Sequence, residues 1–154
     1  MIRDAQGHDL TGATAEAARD TDAAVRAYCL AYGDPTAHFD AALAAAPDCS
    51  MAALGKAWVL ALSNDPAIVT TARTSAERIR ALRVNEREGT HLAALEHAAA
   101  GRWASAAAVL DRHLMRYPHD LMAHQTAMRL DGFLGRFHLT AGCPHRCIPI
   151  SRSD

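Results

Sequence analysis

Apolar residues recur three and four positions apart through most of this chain, and period-two alternation is nowhere sustained, so the pattern predicts helices and no strands. The clearest stretch is 85–118. Residues 85–100 form a helix with Asn85 as N-cap and Glu88 three positions on, close to a capping box, and Gly101 ends it. Over 103–117, Trp103, Ala106, Ala107, Leu110, Leu114 and Tyr117 share one face, and Pro118 stops the helix. Upstream, Asp34-Pro35 opens a helix carrying Phe39, Ala42 and Leu43. Residues 49–63 place Met51, Leu54, Trp58 and Leu62 inward, and Asp65-Pro66 starts a helix whose stripe is Ile68, Ala72, Ala76, Ile79 and Leu82. Val25, Tyr28, Cys29 and Tyr32 predict a helix over 21–32 closed by Gly33, and Ala123, Ala127, Leu130 and Leu134 predict one over 120–134. The fold class is therefore all-α, with an irregular leader at 1–20, a helical-repeat domain of about seven helices at 21–137, and a disordered or non-native tail at 138–154.

The unit at 85–118 resembles a tetratricopeptide repeat. Ala94 and Ala106 stand where small residues let two helices cross, Gly101 is the turn, Trp103 replaces the usual tyrosine, Leu110 takes the large apolar place and Pro118 closes the repeat. Helices approach to about 8 Å only where such small side chains meet. Thr90 and His113 depart from the pattern, standing where the family prefers tryptophan and alanine. Between Pro47 and Pro118 there is room for two periods of roughly 34 to 37 residues. The chain also resembles the N-terminal part of the tetratricopeptide repeat protein 38 family. The similarity runs through Asp4-Ala5-Gln6-Gly7, Leu10-Thr11-Gly12, Gly33-Asp34-Pro35, Ala41-Ala42-Leu43 and Pro47. It continues through Glu86-Arg87-Glu88, His91 to Leu95, Gly101-Arg102-Trp103, Tyr117-Pro118-His119-Asp120 and Gly135-Arg136-Phe137. The resemblance implies antiparallel helix pairs stacked as a right-handed α-solenoid and a non-catalytic interaction role, with a protein or peptide partner in the concave groove. It implies no catalytic residues and no cofactor. By the same resemblance, Glu88, His91, His124 and Arg129 are the expected exposed groove residues.

Sixteen Lys and Arg against seventeen Asp and Glu leave a formal charge of −1, which gives no general attraction to nucleic acid or anionic membranes. The start lacks the apolar stretch of a secretory signal, and no run approaches the ~20 apolar residues of a membrane span, so the chain reads as cytoplasmic. Cys29 and Cys49 read as buried thiols. In the tail, His138, Cys143, His145 and Cys147 are weak candidates for a metal site, having suitable ligand chemistry but not the paired spacing of a finger or ribbon. The tail also breaks the alanine-rich helical text, as expected of a truncated or frame-shifted member of a longer family. An uncapped last helix would then invite self-association.

Enzyme chemistry finds no motif. No serine or cysteine sits in a strand-turn-helix elbow, and Gly132 and Gly135 lack the lysine and hydroxyl of a phosphate loop. The sharpest alternative is a helical bundle with a metal or small-molecule site around Glu88 and His91, a Glu-x-x-His pair on one helical face. It predicts that both side chains converge with another acid or histidine, whereas the scaffold reading predicts an open groove.

Overall fold

A computed structural model describes residues 2–63 and 65–136. Its elements are seven helices: α1 (Ala15–Leu30), α2 (Pro35–Ala45), α3 (Ser50–Ala61), α4 (Pro66–Ile79), α5 (Glu86–Ala99), α6 (Trp103–Arg116) and α7 (Leu121–Phe133). Among the described residues there is no strand, only an isolated antiparallel bridge between Arg3 and Asp9.

Three helix starts follow the capping chemistry in the sequence, while α3 and α6 begin after Cys49 and Arg102 with no side-chain cap bond. Asp34 caps α2 through Thr36 N with Pro35 behind it, Asp120 caps α7 through Ala123 N, and Asn85 and Glu88 form a complete capping box on α5. One start differs. Helix α1 begins at Ala15, inside the stretch assigned to an irregular leader, because the Thr14 hydroxyl accepts from Ala17 N, and Ala17, Ala18 and Thr21 are buried. It also ends sooner, at Leu30. Ala31 turns left-handed with φ 50°, which throws Tyr32 into solvent at 82% exposure rather than onto the predicted inward face.

Consecutive helices pack as hairpins, α1 on α2, α3 on α4 and α5 on α6, with α2 on α3, α4 on α5 and α6 on α7 joining them. Helices α1, α3 and α5 also touch in sequence, and α1 meets α7. The core is continuous and rich in alanine and leucine, with Trp58, Phe39 and Met51 as the largest of its fully buried apolar side chains. Ala94, Ala106 and Leu110 are fully buried, as the repeat pattern requires, and Trp103 is half-buried against Phe133, ring centroids 5.6 Å apart. Gly101 makes its turn at φ 75°. Cys49 is a buried thiol and Cys29 a half-buried one.

The predicted stripe of α7 is covered. Ala123, Ala127 and Leu130 are fully buried, with α1 on one side and α6 on the other. Tyr28 of α1 lies under the Arg129 guanidinium at 4.5 Å. The exposed apolar residues of α7 are instead Leu121, Met128 and Phe133. The expected uncovered end is therefore not what the described residues present.

Candidate functional site

The chemistry of the described residues concentrates where α5, α6 and the start of α7 meet the leader. Glu88 does two things at the N-terminus of α5. Its Oε2 accepts from Asn85 N at 2.9 Å, closing the capping box, and its Oε1 accepts from Thr11 N at 2.9 Å. Asn85 Nδ2 donates to Asp9 O at 3.0 Å. These contacts read main-chain groups of the leader and clasp it to the helix. Gly12, at φ 73°, lets the leader run against Asp48, whose carbonyl would stand 2.0 Å from any Cβ there.

Arg87 and Asp120 lie beneath this clasp. Asp120 Oδ1 caps α7 through Ala123 N at 3.0 Å, and its Oδ2 faces Arg87 Nε at 2.6 Å, His91 Nε2 at 3.0 Å and His113 Nε2 at 3.0 Å. Arg87 Nη1 reaches Asp4 Oδ2 at 3.0 Å as an ion pair without the alignment of a hydrogen bond. Asp4 Oδ1 in turn accepts from Gln6 N and His8 N. His113 Nδ1 lies 3.0 Å from Thr90 Oγ1, and that hydroxyl donates to the helix carbonyls of Glu86 and Arg87.

Asp4, Arg87, His91, His113 and Asp120 are all withdrawn from solvent, so the charges interact strongly. Burial alone would raise the Asp120 carboxyl, but His91, His113 and Arg87 overcome it and hold the group well below the usual carboxylate range. Burial opposes the charge of Arg87, and Asp120 and Asp4 more than offset it, so the guanidinium pKa rises. His91 goes the other way. Burial outweighs the pull of Asp120 and lowers its pKa, keeping the ring neutral, with its Nδ1 buried and without a hydrogen-bond partner. A depression of about 270 Å³, lined by Gly7, His8, Asn85, Arg87 and Tyr117, opens beside the cluster. His8 there is lowered by burial and then by Arg87.

Two of the expected groove residues are thus not on a surface. Glu88 and His91 are both 0% exposed, because the leader covers the start of α5 and Asp120 fills the space over His91. His124 and Arg129 are half-buried, the first bonded through Nε2 to Pro118 O and the second stacked on Tyr28. Nor do Glu88 and His91 form a joint site, since Glu88 turns to the leader and His91 to Asp120. His113, which stands where the repeat pattern prefers alanine, is buried in the cluster. His138, Cys143, His145 and Cys147 lie outside the described residues.

The sequence reading missed Asp4, Arg87, His113 and Asp120 as a group. A signal was present. Thr90 and His113, the two departures from the repeat pattern, are bonded to each other and belong to this cluster.

A second feature is a groove of about 260 Å³ between α2 and α4, floored by α3. Leu43, Ala53, Leu60 and Leu82 make it apolar, and Lys56 and Arg78 stand at its rim. Lys56 is paired with Asp40, while Arg78 is exposed and has no partner among the described residues.

Comparison with family models, curated proteins and solved structures finds no match. No helix among the described residues is long and apolar enough to cross a membrane.

Proposed function

We propose that this chain is a non-catalytic helical-repeat protein of the tetratricopeptide type, part of a longer scaffold, which binds another protein in the groove between α2 and α4. The observation that carries this reading is the groove's chemistry, an apolar lining of Leu43, Ala53 and Leu60 beside an unpaired Arg78. An amphipathic helix from a partner, with apolar residues three and four apart and an acidic flank, suits it, since leucine-sized side chains enter the floor and a carboxylate meets Arg78. The hairpin succession α1–α2, α3–α4, α5–α6 supports the stacked-repeat reading. The partner surface is the outer groove over α3, because the leader and α7 occupy the side on which Glu88 and His91 were expected to face a ligand.

The test is photocrosslinking from a benzoylphenylalanine at Ser75, with the captured segment identified by mass spectrometry. The expected segment is an amphipathic helix with acidic flanks, captured by the parent chain and lost on Arg78→Glu. Capture of a segment without that pattern, or capture indifferent to Arg78→Glu, sinks the reading.

A further inference from the structure

Thr90 Oγ1 lies 2.9 Å from Glu86 O and 2.8 Å from Arg87 O, so with its one hydrogen on either carbonyl it accepts from His113 Nδ1–H. In that tautomer the bare Nε2 of His113 stands 3.0 Å from Asp120 Oδ2, a pair of lone-pair donors facing one another as the ligands of a cation do. The local charges also favour a cation. Asp4, Glu88 and Asp120 are three buried carboxyls that accept from N–H donors, and Arg87 is the one buried guanidinium among them, a deficit of two positive charges.

We infer that His91, His113 and Asp120 form a binding site for one divalent transition-metal cation with zinc-like preferences. Two neutral imidazole nitrogens and a carboxylate oxygen are the donor set such ions take. The three ligand atoms lie within 4.8 Å of one another, and each Nε2 stands 3.0 Å from Oδ2. In a tetrahedral shell with bonds of about 2.0 Å, neighbouring donors sit about 3.3 Å apart, so a small closing movement of the two rings completes the set. A divalent ion also cancels the charge deficit, which a single proton halves. The surroundings match what metal ligands need. His113 is oriented through Nδ1 by Thr90, and Asp120 is held by Arg87 and by Ala123 N. His91 lacks such an orienting contact at Nδ1. The depression beside His8 adjoins the cluster at Arg87, which bonds Asp120. The site is independent of the α2–α4 groove.

The test uses the full chain, freed of metal with a chelator and titrated with cobalt(II), and with zinc(II) for NMR. We expect one ion per chain with the visible absorption of tetrahedral cobalt, and zinc-induced shifts of the His91 and His113 ring nitrogens in the unmutated protein. His91→Gln and His113→Gln should each weaken binding at least ~10-fold. Cys143→Ser with Cys147→Ser should leave it unchanged. No binding overturns the inference. Binding that leaves the His91 and His113 rings unmoved, or that vanishes with the two cysteines, overturns it in favour of the tail. The NMR arm holds even if the histidine variants fail to fold.

Discussion

Two helix contacts in this molecule are equally dry and are held by opposite means. Where α2 meets α3, the Phe39 ring sits over Gly55, so close that a Cβ at Gly55 would stand 2.3 Å from the ring, and Phe39 has no exposure. Where α5 and α6 meet α7, an equally unexposed contact is built from Arg87, His91, His113 and Asp120. The first depends on shape. Removing a side chain there leaves a space whose cost scales with its volume. The second depends on mutual satisfaction, and removing one member strands the others as buried, unpaired polar groups.

The comparison is broken most forcefully at Asp120. Asp120→Ala removes the α7 cap and the carboxylate on which Arg87, His91 and His113 converge, and should cost about 3–5 kcal/mol in urea denaturation. Gly55→Ala, which adds a single methyl group against Phe39, should cost about 1–3 kcal/mol. If the glycine variant proves the more damaging, shape and not charge governs the fold. Asn85→Ala takes away the α5 cap and one tie to the leader and should cost about 1 kcal/mol, read by the same midpoint shift.

The gentlest probe is pH, applied with chelator present. His91 and His8 have folded pKa values below 6.5, so as pH falls past about 6.5 the unfolded chain takes up protons first and stability declines. Asp120, held well below its ordinary value, keeps its stabilising effect until pH drops under about 4, and loses it as pH falls toward its depressed folded value. Urea midpoints should therefore fall in two windows. Gly55→Ala should lower the whole curve without changing its shape, and His91→Gln should shrink the upper window to the share of His8 and also raise the pH at which the Asp120 window begins to close, since His91 helps hold that carboxyl down.

Helix positions were legible because capping residues, prolines and three-four spacing are local signals. Asp34-Pro35, Asn85 with Glu88, and Asp120 each start a helix by contacts within a few residues. The start of α1 escaped because Thr14 precedes a run of Ala, Glu, Arg and Asp with little apolar stripe, and alanine burial depends on a neighbour that the local text does not name. The cluster escaped for a related reason. Arg87 and Asp120 stand 33 positions apart and Thr11 and Glu88 stand 77 apart, distances over which spacing carries no information. His91 looked like a groove residue because a helix face reads as open until something distant is laid across it. The mismatch of Thr90 and His113 with the repeat pattern was the available hint, since two irregularities that face each other satisfy one another.

The contact between α1 and α7 bears on how the chain comes apart. In an open row of repeats, an end unit can fray while the remainder stays folded, and exchange of amide hydrogens is fastest at the ends. Here the first and last described helices brace each other through Tyr28 and Arg129. Opening either one strips the other of cover, so both ends should share one protection level and be lost together.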